Sequence, residues 1–212
     1  MSEDLILKLA KEGVKKPLAS LNLSCLLSCL ALFFYFVTLL LIFGIRSDFL
    51  SKISEINFQI ELLLCLASSI AACASINFLR LPDLSQKKLA NYSFILFFLI
   101  FLFLVFSKIF IPSSEAPEAF CNSFNYQCAL GIVVFSLIPL AFLLIILRRG
   151  IVTNFIFSAL AAGIGSGSLS YLATRLIHES GTSAHLFIWH FLPIFLVIFL
   201  AIILTKLFTK KL

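Results

Sequence analysis

Residues 121–150 read CNSFNYQCALGIVVFSLIPLAFLLIILRRG. Two cysteines, Cys121 and Cys128, bracket a short polar loop. Residues 129–147 are dominated by apolar side chains, and Arg148-Arg149-Gly150 closes the stretch. About 20 apolar residues in a helix cross the hydrocarbon core of a bilayer, so this is a complete membrane span. Arginine pairs collect at the cytoplasmic end of such spans. The cysteines then lie on the opposite face, where thiols can oxidise. One segment therefore sets both the fold class and the orientation.

The rest of the chain agrees with it. Of 212 residues, 61% are hydrophobic, 25 are Phe and only 12% are charged, and mean hydropathy is +1.12. A soluble domain carries roughly 25% charged residues. The apolar runs are continuous rather than alternating, which argues against a membrane β-barrel. The net charge is +6, but the basic residues flank the apolar runs. They read as topology signals rather than a nucleic-acid surface, so no direct nucleic-acid binding is expected. The run from Leu21 is too long for the apolar region of a cleaved signal peptide and reads as a retained first span.

The fold class is therefore all-α, a polytopic bundle of six transmembrane helices. Spans are expected at about 20–45, 55–79, 91–111, 129–147, 155–176 and 186–206. Residues 1–19 form a cytoplasmic N-terminal tail, 20–206 the membrane domain and 207–212 a cytoplasmic C-terminal tail. The 16 Lys and Arg residues divide unevenly under this arrangement. Lys8, Lys11, Lys15, Lys16, Arg80, Lys87, Lys88, Arg148, Arg149, Lys206, Lys210 and Lys211 fall inside. Arg46, Lys52, Lys108 and Arg175 fall outside or near the outer ends. Twelve against four puts both termini in the cytoplasm.

Within the tail, Leu5, Ile6 and Leu9 share one helical face before Gly13 and Pro17 break the pattern. Such a face lies on the headgroup boundary or docks a cytoplasmic partner. In the fifth span, Ala159, Gly163 and Gly167 recur every four residues, the spacing that lets membrane helices approach closely. Pro139 and Pro193 sit inside the fourth and sixth spans. Membrane helices tolerate such prolines and bend at them. Neither span carries a charged cluster at mid-depth that would mark a transport path.

The polar residues that remain carry the functional question. Cys25 and Cys29 share one face of span 1, Cys65 and Cys73 one face of span 2, and all four suit packing. Cys121 and Cys128 differ because they flank an outer loop. On a continuous helix, seven residues separate Cα atoms by about 10.5 Å, whereas a disulfide needs less than about 7 Å. A bond between them needs a turn, for which Asn122, Ser123 and Asn125 are suitable. Two unpaired thiols are the other reading. His178, Glu179, His185 and His190 gather around the second outer loop. Their spacing is not that of a compact metal motif, so no metal is assigned; His178 and His185 are weak candidates as ligands beside the cysteines. Glu61 is the sole acidic residue well inside a span, and a carboxylate there is costly unless paired. Lys108 and Arg175 lie at similar depth, and an ion pair with one of them is expected. No catalytic constellation is present, and no cofactor is expected.

Taken together, the chain resembles the NrsF-like family of six-span bacterial inner-membrane anti-sigma factors, negative regulators of a SigF-type extracytoplasmic-function sigma factor. The resemblance runs over nearly the whole chain. It rests on Asp4-Leu5-Ile6-Leu7-Lys8-Leu9-Ala10, on the outer cysteine ahead of a span that ends in Arg148-Arg149-Gly150, on the outer loop with His178, and on Trp189-His190. It implies a non-enzymatic regulator in the bacterial inner membrane. Its cytoplasmic face, including Leu5, Ile6, Leu9, Arg148 and Arg149, would hold a sigma factor. Its outer cysteines, Cys121 and Cys128, would take part in sensing redox or metal stress. The family often has His-Cys in the second outer loop, where this chain has His178-Glu179, which points to Cys128 as the partner of Cys121. The rival reading is a small transporter or a lipid-pathway membrane protein.

Overall fold

The computed structural model describes residues 20–80, 88–110, 126–150, 152, 154–178 and 185–209. These form helices and connecting turns, with no strand among the described residues. Helix α1 is Leu21–Phe43, α2 the single turn Phe49–Lys52, α3 Ile56–Leu79 and α4 Lys88–Phe110. Helix α5 is Tyr126–Arg148 and α6 Phe155–Ile177. A π-helical turn, Leu186–Phe191, runs directly into α7, Leu192–Thr209. Five helical stretches are long and apolar enough to cross a membrane: α1, α3, α5, α6 and Leu186–Leu207. In α4 the apolar stretch Tyr92–Ser107 is shorter. Residues 1–19, with Leu5, Ile6 and Leu9, and residues 210–212 lie outside the described residues.

Helix α6 is the axle of the bundle. Its most apolar window is 78% buried, against 17% for α1. Small residues make this possible, because they let neighbouring backbones come close. A Cβ placed on Gly163 would lie 2.7 Å from the Cα of Ile198, and one on Gly167 would lie 2.8 Å from Cγ2 of Ile194. Both contacts are to α7. Two hydroxyls on α6 are absorbed locally: Ser166 donates to the carbonyl of Ala162 at 2.7 Å and Thr174 to that of Ser170 at 2.9 Å. That satisfies polar groups which lipid could not. Aromatic rings fill the space between α4 and the π-helical turn, where Phe98 and Phe101 meet Phe191.

The two prolines are accommodated differently. Pro139 in α5 has no N–H to give the carbonyl four residues earlier, that of Phe135. The hydroxyl of Tyr35 on α1 donates to that carbonyl at 2.6 Å. Pro193 follows the π-helical turn, in which the N–H of Leu192 reaches back to the carbonyl of Phe187. The turn widens the helix just ahead of the ring that would otherwise collide with it.

Helix α1 is the loosest member. Ser24 donates to Oδ1 of Asn77 on α3 at 2.9 Å, and Asn77 donates to the carbonyl of Cys73 at 2.9 Å. Nearby, the sulfurs of Cys29 and Cys73 approach to 3.8 Å. An apolar cleft of about 220 Å³ lies between α1 and α3, lined by Leu26, Leu30, Phe33, Leu66 and Ile70 among others.

Candidate functional site

The residues that carry chemistry gather at the two ends of the bundle. At the first end, α3 begins, α6 finishes and the π-helical turn starts. Glu61 stands in the second turn of α3 and is fully buried. Its Oε1 accepts from Nε of Arg175 at 2.6 Å and from the hydroxyl of Tyr171 at 2.6 Å. Its Oε2 accepts from Nη2 of Arg175 at 3.4 Å. Tyr171 and Arg175 are four residues apart on α6, so one helical face delivers both donors. The Arg175 guanidinium lies 5.1 Å from the centre of the Phe58 ring, a cation–π contact from the turn before Glu61. Lys108 is on α4, but its side chain lies outside the described residues.

Arg46 ties the connection after α1 to the same place. It forms an ion pair with Asp48, Nη2 to Oδ2 being 2.6 Å. Its backbone N–H donates to the carbonyl of Leu176 at 2.9 Å, and Nη1 donates to the carbonyl of His178 at 3.3 Å. The hydrogen bonds from Arg46 hold the Asp48 carboxyl below the usual carboxylate range.

Above this network sit three histidines and a thiol. Helix α5 starts at Tyr126 rather than near residue 129, so Cys128 is not in a loop but in the first helical turn. It is a free thiol, only 5% exposed. The ring centres of His185 and His190 are 5.3 Å apart, and that of His178 lies 6.3 Å and 6.1 Å from them. One ligand atom each from Cys128, His185 and His190 falls within a 4.8 Å cluster. Burial lowers the pKa of His185, and its neighbours His178 and Arg175 act in the same direction. His190 also touches the ring of Tyr171, centre to centre 6.2 Å. Tyr171 therefore joins the histidine group to Glu61. Cys121 lies outside the described residues.

The opposite end has another character. Arg148 finishes α5, Arg149 follows it in the turn, and both are exposed. Arg80, the residue that ends α3, is 4% exposed. Its Nε and Nη2 have no hydrogen-bond partner among the described residues. Burial and the nearby Arg149 both lower its pKa. The chain between α5 and α6 can lie this close because residue 150 is glycine. A Cβ there would collide with the Arg80 carbonyl.

Two features escape the sequence reading, and a third, the grouping of the histidines around one loop, is seen there without its geometry. Tyr171 is hidden among small residues that signal packing only. Cys29 and Cys73 are each placed on a helix face, but nothing local says that the faces meet. His185 and His190 are five apart, which on an α-helix sets them about 140° apart around the axis. The i→i+5 bonding of the π turn instead brings them to one side, their rings tilted by 59°.

The family of negative regulators of sigma F, NrsF, matches residues 10–210. The chain belongs to this family. Neither a curated protein nor a solved structure matches it.

Proposed function

We propose that this chain is a six-span anti-sigma factor of the bacterial inner membrane with both termini in the cytoplasm. On this reading the Arg149 end faces the cytoplasm and the His178 end faces out. The sigma factor is held by the N-terminal tail, through Leu5, Ile6 and Leu9, and by the inner turn at Arg148-Arg149. An amphipathic helix laid into a groove is a common mode of such capture. Cys121 and Cys128 sense redox or metal stress on the outer side, and the bundle carries the change inward through α5, which holds Cys128 in its first turn and ends at Arg148. The Glu61–Arg175 pair holds α3 and α6 in register while it does so.

The observation that carries this reading is the family match across residues 10–210. Two features support the finer part. The exposed and buried arginines at one end suit an acidic partner, and the buried thiol beside histidines at the other suits a sensor.

Deleting residues 2–12 tests it. Transcription of the sigma regulon should rise while the protein stays in the membrane, and a pull-down with the detergent-solubilised full chain should capture the sigma factor. Reporter fusions should be active in the cytoplasm at both termini and after Arg149, and should report the outer side within 113–120. A pull-down without a sigma factor, alongside solute flux in vesicles, would instead support the transporter reading.

A further inference from the structure

His190 poses the sharpest unexplained fact in the structure. It is fully buried, yet neither Nδ1 nor Nε2 has a hydrogen-bond partner among the described residues. Buried polar atoms are nearly always satisfied, and an exception calls for a cause, an ion among them. The ring stands within the same 4.8 Å cluster as the Cys128 sulfur and a nitrogen of His185. The three donors come from two different parts of the chain, the first turn of α5 and the π-helical start of the last span. They meet only because the π turn brings residues 185 and 190 to one side.

We propose that Cys128, His185 and His190 form a binding site for a divalent cation of the zinc type, with the ring of His178 able to close on it as a fourth ligand. One sulfur and two imidazole nitrogens are the donors that Zn²⁺ prefers. Bond lengths of about 2.0–2.3 Å put tetrahedral ligand atoms about 3.3–3.6 Å apart. The widest separation in the cluster, 4.8 Å, must therefore tighten by about 1.2–1.5 Å, a movement within the reach of side-chain rotation and of the π turn that carries two of the ligands. Binding would replace the thiol proton by the metal, releasing one proton to solvent. The pair Glu61–Arg175 lies beneath and does not need to open, because Tyr171 stands between it and the ion. The site stands on this geometry alone; its use as the trigger for sigma-factor release rests on the regulatory reading above.

The experiment uses the full chain in detergent, stripped of metal with a chelator. Zn²⁺ is titrated against a chromophoric competitor, and Co²⁺ serves as the spectroscopic probe, since a thiolate ligand gives a charge-transfer band. One ion per chain and a thiolate–cobalt band are expected. Cys128→Ser should abolish the band and weaken Zn²⁺ binding at least tenfold. His185→Gln and His190→Gln should each weaken it by about 10- to 100-fold, the range already seen when only the groups supporting ligands are lost. Cys73→Ser should leave binding unchanged. If His190→Gln does not fold, the Cys128→Ser and His185→Gln variants decide, each checked by helical content and monodispersity. Absence of stoichiometric Zn²⁺ binding to the wild type, or equal binding by Cys128→Ser, overturns the site. A regulon that still responds normally in a Cys128→Ser strain, with Zn²⁺ binding lost in that variant, overturns the regulatory use while upholding the site.

Discussion

The two ends of the bundle treat charge in opposite ways. At the His178 end every described charge has an opposite sign beside it: Glu61 with Arg175, Arg46 with Asp48, Lys52 with Glu55. At the Arg149 end Arg80, Arg148 and Arg149 stand together without an acid among the described residues. In a low-dielectric setting the first arrangement is self-sufficient, because each charge brings its own counter-charge. The second keeps three arginines close together among the described residues. A positive surface of that kind raises the local concentration of an acidic partner. One end pairs its described charges within the fold, and the other presents exposed arginines, which the proposed function gives to an acidic partner.

The largest expected effect strikes the paired end. Arg175→Met leaves the Glu61 carboxylate buried without its cation, with the Tyr171 hydroxyl still donating to it. Loss of one partner from a buried pair costs about 3–5 kcal/mol, and denaturation in detergent should show a loss near the lower figure. Adding Glu61→Gln should restore much of it, since the uncompensated charge is then gone. A double variant as unstable as the sum of the singles would mean that the two groups act independently and that this end is not self-sufficient.

How much of this contrast was legible beforehand differs by residue. The membrane helices follow from apolar runs alone, because in lipid the hydrocarbon thickness dictates element length. Glu61 stood out because a lone intramembrane acid demands a partner, although depth by itself could not choose between Lys108 and Arg175. Tyr171 gave no signal, since a tyrosine in an apolar helix looks like core. The histidines were legible as a group around one outer loop, but that His185 and His190 both meet Cys128 was not, because the π turn departs from the 3.6-residue repeat on which helix faces are counted. Arg80 looked like a topology signal, and only packing against Gly150 shows it buried.

The second effect tests the axle that joins the ends. Gly167→Val places methyl groups where Cγ2 of Ile194 already stands. Overpacking of this kind costs about 1–3 kcal/mol, and the same denaturation assay should report it. A loss below about 0.5 kcal/mol would show that α6 and α7 separate easily.

Charge reversal at the open end should behave in the opposite sense. Arg148→Glu and Arg149→Glu are exposed changes, expected to alter stability by no more than about 0.5 kcal/mol. Under the proposed function they should nevertheless raise transcription of the sigma regulon. A large stability loss without derepression would erase the distinction between the ends.

The smallest effect is a dependence on acid. Arg46 depresses the folded-state pKa of Asp48, so the pair contributes stability above the unfolded carboxylate value of about 3.9. That contribution disappears as pH falls through the folded value. Thermal unfolding of Asp48→Asn should therefore lie slightly below wild type at neutral pH and converge with it in acid. A gap that stays constant into strong acid would remove the charge from the explanation.

The bond from Tyr35 to the Phe135 carbonyl has a consequence for how such a chain can change over generations. The hydroxyl is needed because residue 139 is proline. A lineage that lost the proline would regain a backbone donor at that carbonyl, and the tyrosine would be free to drift to phenylalanine. A lineage that lost the hydroxyl first would carry an unsatisfied carbonyl in lipid until the proline followed. The order of the two substitutions is therefore constrained, and positions 35 and 139, on different helices, should carry a shared history that no inspection of either helix alone would reveal.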